Sequence, residues 1–271
     1  MKKIKEISLR NLYYTDFTLH DVKATRQMWT EGSVFHMSSP RLYNAFILLD
    51  NCVGTYSGNG FSFVAQKGVV CLPYGSEYTC HNHTCTHTKR DAILVNFNIE
   101  INGELYTFSK TPFYMREINF AVAGPLFAEV VDQFENSAFS PMALKSAMWQ
   151  LLTYLCKESE RTYLKKFQPI ARGIELLETN PMTDMSIAQI ASLCNVSEGY
   201  FRHLFYEYKG EAPAEFRLRL RLELAKRLLE DDSVTNEYIA EVAGFESATY
   251  FCRIFKRKFG MSPGEYRKNK Y

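Results

Sequence analysis

One segment of the 271-residue chain concentrates side chains that could bind a metal or react as thiols. Four alternating residues in Cys80–His87 would project to the same side of an extended strand: His81, His83, Cys85 and His87. Imidazole and thiolate groups are common ligands of Zn²⁺. However, same-side residues diverge along a strand, and no second ligand group is identifiable elsewhere. We therefore interpret the segment as an exposed polar loop before a strand at 91–99 and assign no metal or cofactor, with metal or thiol sensing as the alternative.

A second set of polar side chains lies near the C-terminus and is suited to contacts with nucleic acid. On a helix over 197–206, one face carries Gly199, Arg202, His203 and Tyr206. On a helix over 247–259, the corresponding face carries Thr249, Cys252, Arg253 and Lys256. The opposite faces are predicted to be apolar: Tyr200, Phe201, Leu204 and Phe205 in one helix, Tyr250, Phe251, Ile254 and Phe255 in the other. Such a division is typical of a recognition helix, in which Arg can bind guanine bidentately. The alternative is an ordinary amphipathic helix with a solvated polar face.

These two helices belong to an internal repeat. Residues 200–217, moved forward by 50 positions onto 250–267, are identical at seven of 18 positions, whereas chance would give about one. The identities are Tyr200/Tyr250, Phe201/Phe251, Phe205/Phe255, Gly210/Gly260, Pro213/Pro263, Glu215/Glu265 and Arg217/Arg267. Each copy is predicted to be helix, turn, helix, with N-caps at Ser186 and Ser197 in the first copy and left-handed ends at Gly210 and Gly260. A connecting helix rich in Arg217, Arg219 and Arg221 further favours DNA binding.

The first ~110 residues are predicted to be β-rich, because short β-branched and aromatic runs alternate with turn signals. The pattern becomes helical near 123, with helices expected to begin at Pro125 and Pro141. An apolar stripe over 144–155 is compatible with either a core or a dimer interface. The polar segment Lys157–Lys166 is interpreted as a linker between domains.

Ile187–Arg217 together with Ile239–Arg267 closely resembles the paired helix-turn-helix domain of AraC/XylS-type transcription regulators. The segment Ala65–Gly75 resembles, less specifically, the cupin-like sensor half of the same regulators. The resemblance implies an α+β chain of two domains: an effector-binding cupin-like jelly-roll barrel over 1–120, a helical dimerisation and linker segment over 121–160, and a DNA-binding domain over 161–271. The last would have seven helices, with two recognition helices held by a long helix at about 213–230.

The same resemblance assigns roles to individual residues. Base reading is transferred to Gly199, Arg202, His203, Ala248, Thr249, Cys252 and Arg253. Phosphate contacts are expected from Ser197, Thr249 and Lys256. The family more often has a small polar residue at 202 and Arg at 203, so the base preference of the first helix departs from its pattern. Five aromatic residues are candidates for stacking on a sugar effector, with plain barrel core as the alternative: Phe35, Tyr56, Phe63, Tyr74 and Tyr78.

The sequence thus predicts a DNA-binding transcription regulator, an activator by resemblance, controlled by a small molecule such as a sugar. Its expected partners are double-stranded DNA, the effector, a second copy of the chain and RNA polymerase. Seven scattered cysteines, no apolar run of membrane-spanning length and no signal peptide lead us to expect a cytoplasmic protein without disulfides. A cupin-type metalloenzyme is the remaining alternative, but spaced histidines with a glutamate are missing. No nucleophile elbow, Walker loop or dinucleotide fingerprint is present, so no enzymatic activity is expected.

Overall fold

The computed structural model describes residues 4–85, 92–136 and 140–268, apart from the side chain of Cys85. The chain divides into two compact units, Met1–Tyr163 and Leu164–Tyr271. The first unit combines two β-sheets with helices, and the second is all-helical in its described part. The predicted α+β fold class, with a β-rich N-terminal unit that ends in helices and an all-helical C-terminal unit, is confirmed for the described residues.

The described strands of the first unit form two sheets. Their bounds are β1 Lys5–Glu6, β2 Thr18–Gln27, β3 Val34–Met37, β4 Asn44–Leu49, β5 Cys52–Gly58, β6 Phe61–Ala65, β7 Gly68–Leu72, β8 Tyr78–Cys85, β9 Ala92–Ile101, β10 Glu104–Thr107 and β11 Phe113–Met115. One sheet runs β1-β10-β9-β4-β7-β11, with β2 also paired to β9, and the other runs β3-β8-β5-β6. The predicted loop at 80–85 is therefore wrong: these residues continue β8, because they pair with β5 from Cys52 to Tyr56.

Strand β4 shows why the first sheet is buried on both faces. It pairs antiparallel with β7 and β9, so that Ile47 lies opposite Val70 on one side and Leu94 on the other. Along β4, Phe46 and Leu48 belong to a core shared with the helices, whereas Ala45, Ile47 and Leu49 belong to the core between the sheets. A strand buried on both faces has a continuous apolar sequence instead of an alternating one.

Helices α1 Leu9–Leu12, α2 Phe120–Glu135 and α3 Pro141–Phe167 complete the first unit, and α3 runs on across its boundary. The predicted start of α2 at Pro125 is wrong, since Asn119 caps the helix by accepting from the Ala121 N–H and Pro125 lies inside it. The apolar stripe of α3 is core: Leu144, Ala147, Met148, Leu151, Leu152 and Leu155 are each at most 4% exposed. The stripe therefore gives no support to a dimer interface. The segment Lys157–Lys166, interpreted as a linker, is the helical end of α3.

The second unit contains seven α-helices in its described part, after a short 3-10 turn at Gln168–Ile170. They are α4 Ala171–Thr179, α5 Ile187–Leu193, α6 Glu198–Lys209, α7 Pro213–Leu228, α8 Asn236–Val242, α9 Ala248–Phe259 and α10 Pro263–Lys268. The long helix expected at about 213–230 is α7. Among the described residues, none of the helices combines the length and the apolar character that a membrane span requires.

Candidate nucleic-acid interface

The first helix-turn-helix unit consists of α5 and α6, and its ends are fixed by local hydrogen bonds. Ser186 and Gln189 form a capping box at the start of α5, in which each side chain accepts from the backbone N–H of the other. Asn195 turns the chain with φ of 55°, in the left-handed region where Asn is tolerated. The Ser197 hydroxyl then accepts from the Tyr200 N–H at 3.3 Å and starts α6. The predicted caps at Ser186 and Ser197 are confirmed.

The second unit, α8 and α9, repeats this arrangement. Thr235 caps α8 through the Tyr238 N–H, and Ser247 caps α9 through the Tyr250 N–H. Gly244 makes the turn with φ of 73°. Helices α6 and α9 end at Gly210 and Gly260 with φ of 76° and 77°, as predicted from their αL preference.

Each recognition helix is held by three buried residues at equivalent positions. Phe201, Leu204 and Phe205 in α6 correspond to Phe251, Ile254 and Phe255 in α9, and all six are at most 3% exposed. The assignment of Tyr200 to the apolar face is wrong, because its side chain is 46% exposed. Residue 200 lies one position outside the 201/204/205 stripe and therefore falls at its edge.

The side chains predicted to contact DNA lie on the opposite faces. In the first helix-turn-helix unit the exposed residues are Ser197, Gly199, Arg202 and His203. In the second helix-turn-helix unit they are Thr249, Arg253 and Lys256. Ala248 and Cys252 are half-buried. Burial, together with the nearby Glu237 carboxylate, raises the pKa of the Cys252 thiol. Cys252 is therefore a neutral thiol at the edge of this surface.

The arginines of α7 do not belong to this surface, contrary to the expectation for a donor-rich connecting helix. Arg217 donates to the Met185 carbonyl at 2.6 Å, next to the cap of α5. Arg221 donates to the carbonyls of Pro181 and Thr183 at 2.7 and 3.0 Å and also to that of Gly244. Arg219 pairs with Glu211 and Glu223.

Arg267 of α10 is the repeat partner of Arg217, and it plays the same part. It donates to the carbonyl of Val234, which precedes the α8 cap as Met185 precedes the α5 cap. The identity of Arg217 and Arg267 in the repeat thus marks a pair of structural clamps, each tying the third helix of its unit to the start of the first.

The two presented faces differ in charge. In α6, Arg202 Nε donates to Glu198 Oε1 at 2.7 Å, and His203 Nε2 lies 3.9 Å from Glu207 Oε2. The other cation of α6, Lys209, pairs with Glu178. Helix α9 has four cations and no acidic residue: Arg253, Lys256, Arg257 and Lys258. Within the described ranges, none of these four is in an ion pair. Helix α9 is therefore the stronger electrostatic contact for a polyanion.

The Cys/His segment is only partly described. His81 and His83 are exposed on β8, and His83 Nε2 lies 2.6 Å from the Thr55 hydroxyl. The Cys80 thiol is buried and donates to Asn82 Oδ1 at 3.4 Å. His87 and the side chain of Cys85 lie outside the described residues. Among the residues described, no group of three potential ligands is placed to hold a metal ion.

The first unit contains a cavity of 1160 Å³ between its sheets and the loops before β3 and β4. Four of the five predicted effector-binding aromatics line it: Phe35, Tyr56, Tyr74 and Tyr78. Phe63 is not among the lining residues; its ring stacks on Tyr56 with centroids 5.5 Å apart. The sequence analysis missed Arg41 and Asn96, which also line the cavity. Neither occurs in a motif, so only their place in the fold brings them together.

Two capped helix-turn-helix units with exposed polar recognition faces define a DNA-binding protein. A family model described as a helix-turn-helix domain matches residues 190–269. A putative AraC-like transcription regulator of Streptomyces antibioticus is 33% identical over 100 residues, which cover 37% of this chain and 33% of that protein. The C-terminal part of the chain is therefore a helix-turn-helix DNA-binding domain similar to that of AraC-like transcription regulators.

Two further relatives match beyond the DNA-binding unit. The uncharacterized helix-turn-helix-type transcriptional regulator YidL of Escherichia coli is 25% identical over 221 residues, covering 74% of this chain and 72% of that protein. The raffinose operon transcriptional regulatory protein RafR of Pediococcus pentosaceus is 25% identical over 165 residues, covering 58% of each chain. The matched part thus spans from a third to 72% of the relatives' own lengths.

Proposed function

We propose that this chain is an effector-controlled transcription activator that inserts α6 and α9 into adjacent major grooves on one face of DNA. One observation carries the proposal: two helix-turn-helix units of the same internal construction present exposed polar residues at equivalent positions. Recognition helices of this kind contact sites roughly one helical turn, ~34 Å, apart. The operator would therefore contain two boxes with that spacing.

We assign different contacts to the exposed side chains. Arg253 and Arg202 reach base edges, accompanied by Gly199, His203, Ala248, Thr249 and Cys252. Ser197, Thr249 and Lys256 contact phosphates. Base contacts select the sequence, whereas phosphate contacts fix the register of the protein on the duplex.

The effector is a small molecule bound in the cavity of the first unit. A volume of 1160 Å³ accommodates a sugar-sized or larger molecule. The aromatic lining supports stacking on a ring, and the similar protein RafR is a regulatory protein of a raffinose operon. The effector acts by favouring one arrangement of the chain on DNA over another, and only a difference in its affinity for the two arrangements can supply the energy.

Homodimerisation and contact with RNA polymerase complete the proposal, and both rest on the family resemblance. Exposed apolar side chains remain on the two helices at the end of the first unit, Val122 on α2 and Met142 on α3, at 42% and 81% exposure. A dimer contact there would cover them.

The test is a selection of sheared genomic DNA by the purified full chain at two salt concentrations. The matched control is the double variant Arg202→Ala, Arg253→Ala, whose substituted side chains are both exposed, so that folding is preserved. We expect the wild-type chain to enrich fragments with paired boxes one helical turn apart and the double variant to lose that enrichment. Equal enrichment by both proteins would remove these arginines from the base contacts, and no enrichment by the wild-type chain, with or without effector candidates, would contradict the proposed function.

A further inference from the structure

The cavity of the first unit contains a buried cation. Arg41 is only 8% exposed and lies just before β4. Its guanidinium donates to Asn96 Oδ1 at 2.5 Å, to the Tyr78 hydroxyl at 3.3 Å and to the Tyr43 carbonyl at 3.4 Å. All of these acceptors are neutral. Burial raises the pKa of Tyr78, and the Arg41 charge opposes part of that rise.

Arg41 has no anionic partner in the described part of the first unit. No ion pair there includes it, and it is the single charged residue among those that line the cavity. A guanidinium has five N–H donors, of which three are used here. Burying a cation without a counterion is unfavourable, and an apolar side chain of similar volume would usually serve stability better. A charge retained under these conditions points to a ligand that supplies the missing anion.

The surroundings of Arg41 indicate what else the ligand carries. The walls of the cavity are largely aromatic and aliphatic, with Trp29, Phe35 and Leu94 among the lining residues. The Tyr56 side chain is buried among them, and the pKa of its hydroxyl is raised mainly by burial and additionally by the neighbouring Cys80 thiol. A cavity of 1160 Å³ is far larger than an inorganic anion needs. The anionic group must therefore belong to an organic molecule with a body that fills apolar space.

We propose that the cavity binds an organic carboxylic acid, with its carboxylate on Arg41 and its ring or chain against the aromatic wall. Arginine can bind a carboxylate through two parallel N–H···O bonds, which gives both strength and a fixed orientation. The inference rests on the proposed function, since it names the class of effector that the sensor unit takes. It favours a sugar acid or an aromatic acid over a neutral sugar.

The first experiment measures thermal stabilisation of the purified full chain by pairs of probes in which the neutral member has a hydroxymethyl group in place of the carboxylate. D-glucuronate is compared with D-glucose, benzoate with benzyl alcohol, and inorganic phosphate serves as an anion without an organic body. A ligand that binds the folded chain raises its melting temperature in proportion to its affinity. We expect at least one acid to stabilise the first unit and its neutral counterpart to have a much smaller effect. Stabilisation by a neutral probe alone, by phosphate alone or by neither acid would overturn the proposal.

Two variants separate ligand binding from a structural role of Arg41. Arg41→Met removes the buried charge but also leaves the acceptors on Tyr43, Tyr78 and Asn96 without this donor, so the two effects on unliganded stability oppose each other, while the affinity for the acid should fall about 10- to 100-fold. Asn96→Asp places a carboxylate beside the guanidinium and should raise the melting temperature and abolish acid binding. Arg26→Met is the matched control, because Arg26 pairs with Asp132 and does not line the cavity; it should leave acid binding unchanged. Unchanged acid binding in Arg41→Met or in Asn96→Asp would contradict the assignment.

DNA selection by the same preparations distinguishes a failure of this inference from a failure of the proposed function. If the chain selects paired boxes and no carboxylate binds, the DNA-binding role stands and the effector class is wrong. If a carboxylate binds through Arg41 and does not change DNA affinity, the anion site stands and control by effector is wrong.

Discussion

The two helix-turn-helix units have the same framework but differ in the charge of their recognition helices. Both recognition helices have 12 residues, begin after a capping serine and end at a left-handed glycine. Yet α6 contains two acidic and two basic residues, whereas α9 contains four basic residues and no acidic one. The positions that hold the helix are kept between the copies, and those that face outward have diverged. We therefore expect the second helix-turn-helix unit to attract a phosphate backbone more strongly than the first, whose cations already face carboxylates.

The largest effect is expected from Arg221→Ala, which removes the hydrogen bonds that join the two helix-turn-helix units. Arg221 satisfies the carbonyls of Pro181 and Thr183 ahead of α5 and that of Gly244 in the turn between α8 and α9. Leaving three partly buried carbonyls without a donor should cost about 3 kcal/mol or more. Urea unfolding followed by far-UV circular dichroism measures this loss.

The chain provides two internal controls for that measurement. Both tryptophans, Trp29 and Trp149, lie in the N-terminal unit, Met1–Tyr163, which this substitution does not touch. The unfolding transition seen by tryptophan fluorescence should therefore keep its urea midpoint. Arg219→Ala removes a neighbouring arginine that pairs only with exposed or half-exposed carboxylates, and it should cost at most ~1 kcal/mol. Equal losses in Arg221→Ala and Arg219→Ala would show that the carbonyl contacts add nothing.

Arg253→Ala is expected to weaken binding to the selected operator by ~1–3 kcal/mol and to relax selection at one base pair. Arg253 has no carboxylate partner to leave within the described chain; its guanidinium lies 5.3 Å from the centre of the Tyr250 ring. Arg202→Ala is the matched substitution in the first helix-turn-helix unit. Its loss should be smaller, since Arg202 must first give up Glu198, an exchange worth ~0.2–1 kcal/mol.

Competition binding against the selected operator measures both variants. A larger loss of operator affinity for Arg202→Ala than for Arg253→Ala would mean that the first helix-turn-helix unit, not the second, contributes more to binding.

The sequence was sufficient to predict the framework of these units. Capping serines, left-handed glycines and apolar spacing are local signals, and Ser186, Ser197, Gly210 and Gly260 have the roles predicted from them. The role of the α7 arginines could not be predicted in this way, because Arg221 bonds to carbonyls as far as 40 residues away. Contacts between residues distant in sequence leave no periodic pattern.

The same limit explains what the sequence analysis missed or predicted wrongly in the N-terminal unit, Met1–Tyr163. The stripe over 144–155 predicted the buried face of α3 correctly, but only the fold shows that this face belongs to the core of its own unit. Polar residues at 80–85 suggested a loop, although β5 and β3 both pair with this segment through backbone groups. Arg41 and Asn96 are 55 positions apart and meet only because β4 and β9 are neighbours.

Lys256→Ala should flatten the dependence of log K on log salt by about 0.9, because each phosphate contact releases about that number of counterions. The loss should be similar for all DNA sequences, since a phosphate contact does not read bases. Lys209→Ala is the control from the first helix-turn-helix unit. The Lys209 ammonium pairs with Glu178, so its removal should leave the slope unchanged. Binding titrations over a series of salt concentrations measure the slope, and a flatter slope for Lys209→Ala than for Lys256→Ala would contradict the assignment.

The smallest effect, and the most direct test of the comparison, comes from Glu198→Gln. This change releases Arg202 and gives α6 a net positive charge, so DNA binding should strengthen by ~0.2–1 kcal/mol, the range of an exposed ion pair. Its effect on folding should have the opposite sign: an acidic side chain in the first helical turn interacts favourably with the helix dipole, and losing it costs ~0.3–1 kcal/mol. Glu223→Gln removes the same charge from the exposed side of α7 and should leave operator affinity closer to that of the wild type. Weaker DNA binding by Glu198→Gln would mean that Glu198 positions Arg202 for its base instead of competing with it, and the two units would then differ in how they hold their arginines, not in how strongly they attract DNA.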